Sequence, residues 1–343
     1  MKTCIAISSL LVFICIGCSR EVTVKQASID LDHVPSIELK AQSYPLDSAL
    51  WAPDCIFTQG DYLIIEEGKR HTGIFRCFDA KNFDFLFACG TKGKGPNEVM
   101  HLFGQYIQPC DSGFCVMDNG TEKEFQIKDG HLQVVRQSPI AIYDAVNGLT
   151  KIGDNHFFMN GYTDGSGAEH LIYKDGQITE CGTYPESPYD DQQRFIMEFK
   201  TNVAQIGGDT IYSFYNNRNL IRKYSPQGEL LEEMHFLSYP VDGPDYESYR
   251  AGTCPLFTGR SYQTKSFFFL SFYDGMSNQQ IFAGNYTPQI LVWDWKNGLR
   301  NRIVLQRQYK RLAYAISEKH KRLYAIDLDA PDRIDYYDLD SIF

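Results

Sequence analysis

The sequence predicts an all-β protein, a six-bladed β-propeller of four-stranded antiparallel blades, on three observations. Its 343 residues include 23 Phe, 22 Tyr and 3 Trp beside 27 Gly and 14 Pro, an enrichment that favours strands and hairpins over helices. One phrase returns six times: a short run, a Gly/Asp turn, a strongly apolar run, a polar loop and two further runs. With Tyr62, Phe114, Phe157, Ile211, Phe268 and Leu323 as markers, its spacing is 52, 43, 54, 57 and 55 residues, the size of a propeller blade. Finally, two sets of turns stand in one frame, Gln59-Gly60-Asp61 and its equivalents before the second strands, Lys128-Asp129-Gly130 and Lys174-Asp175-Gly176 before the fourth. With 43% apolar residues the chain has ample material for a core, and its net charge of −10 would repel a phosphate backbone, which argues against a nucleic-acid partner.

The elements follow in chain order. Lys2 precedes an apolar stretch over residues 5–17 that is too short to span a bilayer and fits a secretory signal. It ends Cys15-Ile16-Gly17-Cys18, which resembles the lipobox of bacterial lipoproteins, with Cys15 where that family usually has Leu. The resemblance implies that residues 1–17 are removed, that Cys18 is acylated, and that the protein is anchored in the cell envelope. Ser19, where an Asp would retain the protein at the inner membrane, points to the outer membrane. Several acyl chains, at about 0.8 kcal/mol per buried methylene, give a stable anchor. Residues 18–35, poor in large apolar side chains, read as a tether and residues 36–343 as the propeller.

The last repeat has three strands, ending near Tyr337, and lacks a fourth. The alternating run Ser36-Ile37-Glu38-Leu39-Lys40 is the expected donor, closing the ring and removing its open edge. Ser187-Pro188, with acids following, predicts a short helix within 187–199, and Asp245 opens a single helical turn to Arg250.

Between the first two repeats stands Gly90-Thr91-Lys92-Gly93-Lys94-Gly95-Pro96-Asn97-Glu98. Lys94 is followed by Gly95-Pro96 rather than by a Ser/Thr that opens a helix, so this is no phosphate loop. Gly90, Gly93, Gly95, Pro96 and Glu98 instead suit a rigid connection between blades, with Glu98 accepting backbone N–H bonds. The pattern Gly-x-x-Gly-x-Gly-Pro-x-Glu resembles that of TolB-like six-bladed propeller lipoproteins, with Val99 where Phe is common. What the resemblance implies is a fold and an envelope address. Beyond Cys18 the propeller carries seven cysteines, with neither Cys-x-x-Cys nor zinc-type spacing, so no structural metal is expected. Cys110 and Cys115 flank a turn and read either as a cross-strand bridge or as two small buried apolar residues.

Function is expected where the loops joining second to third strands gather on one face. These loops carry Glu66, Arg70, Asp118, Asn160, Tyr162, Tyr215, Asn216, Arg218, Tyr273, Asp274 and Asp327, a mixture suited to hydrogen-bonding ligands such as glycans or peptides, with Tyr162, Tyr215 and Tyr273 as stacking faces. Without Gly-x-Ser-x-Gly or His-Glu-x-x-His, the expectation is a non-catalytic, cofactor-free protein, anchored to the membrane by lipid, that binds an envelope protein, glycan or peptide. The alternative is a lactonase-like hydrolase. Propellers of that kind hold calcium in the channel, and Glu66, Asn160, Asn216 and Asp274 stand at comparable loop positions.

Overall fold

The computed structural model describes residues 24–46, 50–100, 102–110, 113–140, 148–161, 167–284 and 286–343. The signal segment, Cys18 and Tyr162 lie outside these residues. Six antiparallel sheets form a ring. Blade 1 is Cys55–Gln59, Tyr62–Glu66, Thr72–Asp79 and Phe85–Thr91. Blade 2 is Leu102–Pro109, Phe114–Asp118, Thr121–Lys128 and His131–Pro139; blade 3 is Thr150–Gly153, His156–Asn160, Ala168–Lys174 and Gln177–Thr183. Blade 4 is Lys200–Ala204, Ile211–Tyr215, Ile221–Tyr224 and Leu230–Phe236; blade 5 is Pro255–Gln263, Phe267–Ser277, Gln289–Asp294 and Gly298–Leu305. Blade 6 takes Leu312–Ser317, Arg322–Asp327 and Arg333–Asp338 from the C-terminus.

The second strands were the most legible elements because each is buried on both faces between neighbouring blades. Phe114–Asp118 and Ile211–Tyr215 are buried at every position, so they read as continuous apolar runs rather than as alternation. Hairpin chemistry fixes the register. Asp129-Gly130 and Asp175-Gly176 both take positive φ, the two-residue turn whose twist matches the strands. First strands of neighbouring blades meet around the axis, from blade 6 to blade 1 among them, and apolar clusters fill the seams.

The N-terminal strands depart from expectation. Blade 6 is closed by Gln42–Pro45, antiparallel to Arg333–Asp338 with Ile334 opposite Tyr44, and not by residues 36–40. Ser36–Leu39 instead adds a parallel fifth strand to blade 5, Ile37 opposite Ile303. Lys25–Ile29, within the stretch expected to be a tether, adds a parallel fifth strand to blade 4, Lys25 opposite Glu232 and Ile29 opposite Phe236. The Lys25 ammonium meets Glu232 at 2.7 Å, and Gln26 donates to Glu233 at 2.8 Å. The N-terminal segment therefore runs round the rim over blades 4, 5 and 6. Parallel pairing with a fourth strand also sets direction: Lys25 lies at the face of the hairpin turns that join third to fourth strands, and Ile29 toward the opposite face.

Helix α1 (Asp191–Met197) starts three residues after Pro188, because Asp190 and Gln193 form a reciprocal cap there. Helix α2 (Tyr246–Arg250) is capped by Asp245 as expected. Helix α3 (Asn278–Phe282) was not anticipated. Its signal, Ser277 with Gln280 three residues on, is a capping box inside what reads as a loop. No helix among the described residues is long and apolar enough to cross a membrane.

Candidate ligand-binding channel

The connection after blade 1 is built around Glu98. Its carboxylate accepts the Gly95 N–H at 2.7 Å, and a Cβ on Gly93 would stand 2.0 Å from a Glu98 oxygen, so only glycine leaves room for this bond. Asn97 accepts the Val134 N–H at 3.1 Å, and Lys123 donates to the Glu98 carbonyl at 2.7 Å. Asp118 belongs to this clamp, holding the Lys123 ammonium at 2.7 Å and the Met100 N–H at 2.9 Å.

The other loop residues divide. Asp327 accepts the backbone N–H groups of Lys310, Arg311 and Asp329, which ties its loop to the connection entering blade 6. Arg70 pairs with the buried Glu67 carboxylate, and Arg218 with Glu198 at 3.1 Å. Tyr215 is fully buried and donates to Glu169, so it offers no stacking face. Asn160 donates to the Lys200 carbonyl at 3.0 Å and accepts from Asn202 at 2.9 Å. Asp274 accepts from Tyr239, and Glu66 is buried beside Cys55. Burial, reinforced by Asp54, raises the Glu66 carboxyl to about 7. Of the four residues at lactonase-like calcium positions, only Asn216 lines the channel. The set does not fit one shared calcium ion.

Asn216 and Tyr273 do face the central cavity, which encloses about 1480 Å³. Its wall carries eight Lys/Arg against three Asp/Glu, the reverse of the chain's overall balance. Lys310 and Arg311 stand on the side of the second-to-third-strand loops, just before the first strand of blade 6, and the Arg260 side chain, from the middle of Pro255–Gln263, is directed to the same side. Arg260 reaches across to the Asp54 carbonyl at 3.1 Å, and Arg311 meets Asp329 at 3.1 Å. Beside them lie Phe282, which is 60% exposed, and the half-buried Tyr273, whose ring is backed at 5.4 Å by the buried Tyr286, a donor to the Phe272 carbonyl at 3.1 Å.

A buried ionic cluster behind this wall had no sequence signal. Glu169 accepts from Tyr224 at 2.6 Å, from Tyr215 and from Arg222, with Lys200 at 3.8 Å and His170 at 3.2 Å. Burial alone would raise the Glu169 carboxyl, but the neighbouring His170, Lys200 and Arg222 hold it well below the usual carboxylate range. Burial lowers His170 to about 4 and Lys200 to about 8.

No family model and no curated protein matches the chain. Among solved structures it resembles a member of the DUF4221 family from Bacteroides vulgatus, with a TM-score of 0.58 at 11% identity, covering 87% of this chain and 95% of that one. The Cps50 (Swd1) β-propeller domain of Myceliophteria thermophila is similar at a TM-score of 0.46 and 11% identity, over 86% of this chain and 99% of that one. Virginiamycin B lyase from Staphylococcus aureus gives 0.45 at 13% identity, over 88% and 99%. At these identities the likeness is one of fold.

Proposed function

We propose that this chain is a lipid-anchored envelope protein that binds, without transforming, a carboxylate-bearing oligosaccharide at the channel mouth on the face of the second-to-third-strand loops. The observation that carries the reading is the juxtaposition there of Arg260, Lys310 and Arg311 with Tyr273 and the exposed Phe282 in a chain of net charge −10. A cavity lined by one sign of charge concentrates the opposite sign, and aromatic faces stack on sugar rings. Anchorage supports the same geometry. From Cys18 to Lys25 is seven residues, a reach of about 25 Å at most. With Cys18 acylated, that reach holds the third-to-fourth-strand turns near the bilayer and turns the cationic mouth away from it.

The test titrates the full chain in detergent with fluorescent oligogalacturonate, with polyglutamate and neutral dextran as comparisons. Oligogalacturonate should bind, weaken as salt rises, and lose about tenfold or more in Arg260→Gln/Lys310→Gln. Tyr273→Ala should weaken it further with the fold intact. Equal binding of dextran, or indifference to the charge changes, would overturn the reading, and preference for polyglutamate would make the ligand a peptide. A fatty-acid label should disappear in Cys18→Ser.

A further inference from the structure

At the opposite end of the channel, blade 2 presents one residue from the end of its first strand and one from each of the other three in a single row. Cys110 and Gly113 exchange backbone bonds across the turn, Cys115 lies opposite Glu124, and Glu124 opposite Arg136. The Cys110 and Cys115 sulfurs and a Glu124 oxygen all lie within 4.8 Å of one another, and all three residues line the channel.

The register separates two uses of such a pair. Gln108 is opposite Cys115 and Pro109 opposite Phe114, so Cys110 and Cys115 are diagonal neighbours on one face. Diagonal positions stand about 7–8 Å apart, beyond the range of about 4.4–6.8 Å over which a disulfide usually holds its two Cα atoms. A metal ion does not need that closeness. Around a tetrahedral centre with sulfur at about 2.3 Å, ligand atoms lie about 3.8 Å apart, so the trio has to contract by about 1 Å at most. The carboxylate is already oriented: the Cys110 thiol points to one Glu124 oxygen at 3.6 Å, and Arg136 donates to the other at 3.0 Å.

We infer that Cys110, Cys115 and Glu124 form a binding site for a thiophilic divalent cation of the zinc class, with the fourth coordination position open to the channel and Arg136 as the outer residue that orients Glu124. Binding displaces the two thiol protons to solvent, and two thiolates and one carboxylate on a dication leave a single negative charge, which Arg136 balances. Sequence spacing gave no hint of this, because the third ligand comes from a neighbouring strand rather than from a second Cys pair.

The test uses the reduced full chain in detergent and Cd(II), whose thiolate bonds give an ultraviolet charge-transfer band, with Zn(II) as competitor. One equivalent should bind, Zn(II) should displace it, and Zn(II) should raise the melting temperature. The band should vanish in Cys110→Ser and in Cys115→Ser and persist in Cys77→Ala. Should Cys115→Ser fail to fold, Cys110→Ala, at the hairpin end, carries the test. Arg136→Gln should weaken affinity about 10- to 100-fold. No band in the wild type, a band that survives loss of Cys110, or isolation of a Cys110–Cys115 disulfide from unreduced protein would overturn the site.

Discussion

The seam between blades 5 and 6 and the seam between blades 3 and 4 join similar surfaces by different chemistry. Blades 5 and 6 meet through fourteen buried apolar residues, Phe269, Ile290 and Leu305 against Tyr314, Ile316 and Leu323 among them. Blades 3 and 4 share only six, Ile152, Phe158 and Ile172 against Ala204, Ile211 and Tyr224. The deficit is filled by Glu169 of blade 3 reaching Tyr215, Arg222 and Tyr224 of blade 4. Apolar burial is non-directional and indifferent to pH, whereas a buried ion cluster fixes register and titrates. One ring thus contains a seam held mainly by apolar area, with Asp335 bonded to Arg307 and Tyr309 at its edge, and a seam held in good part by a buried ion cluster.

The largest effect expected is from removing one charge of that cluster. Glu169→Gln keeps the shape but leaves Lys200 buried without this carboxylate and Arg222 with Glu233 alone, at 2.7 Å, and should cost about 3 kcal/mol in urea unfolding. Leu323→Ala in the apolar seam should cost about 2–5 kcal/mol. The seams differ in what rescues them: Glu169→Leu combined with Arg222→Met, Lys200→Met, Tyr215→Phe and Tyr224→Phe should recover much of the loss, since apolar replacement of a whole buried cluster is often neutral. A loss below about 1 kcal/mol for Glu169→Gln would mean these charges behave as exposed pairs and would dissolve the comparison.

Acid should separate the seams next. His170 is fully buried and lowered from 6.5 to about 4, so the folded state binds fewer protons than the unfolded chain in that window. Its contribution is present above 6.5 and is lost as pH falls to about 4, a change of about 3 kcal/mol. Glu169, also depressed, has its contribution in place above its ordinary 4.5 and loses it below. Unfolding free energy should therefore decline from pH 6.5 downward, and His170→Gln should flatten the upper part of that decline. A wild type equally stable at pH 7 and pH 4 would show that this seam does not titrate.

The apolar architecture was legible and the ionic seam was not, for one physical reason. Second strands such as Phe267–Ser277 declare burial by composition, and turns such as Asp129-Gly130 declare themselves by backbone chemistry. Glu169-His170 in Ala168–Lys174 is a polar pair whose side chains meet at 3.2 Å, both against Tyr224 of blade 4; that both are buried follows only from the neighbouring blade packed over them. The closing strand was misplaced because Ser36–Leu39 alternates and Gln42–Pro45, only two residues further on, does not, so the pattern favoured the strand that pairs with blade 5 over the one that reaches blade 6. Loop residues misled in a similar way. Asp118 and Asp327 are at second-to-third-strand loops because they bond backbone N–H groups there, whereas Tyr273 is one of the few that turn toward the cavity.

The smallest effect expected sharpens the comparison most, because it asks which charge of the cluster matters. Lys200 is fully buried, and burial lowers it from 10.5 to about 8 despite Glu169 and Glu198. Its ammonium is thus harder to hold in the folded protein than in the unfolded chain, so at neutral pH its charge opposes folding. Glu169 keeps Arg222, Tyr215 and Tyr224 without it. Lys200→Met should therefore lie within about 1 kcal/mol of wild type at pH 7, where Glu169→Gln does not. The sign of its pH dependence is the finer check. A group depressed on folding adds stability as pH rises from about 8 toward 10.5, so the wild type should gain over that range relative to Lys200→Met. A cost for Lys200→Met as large as that of Glu169→Gln would make the lysine, not Arg222, the partner that locks the seam.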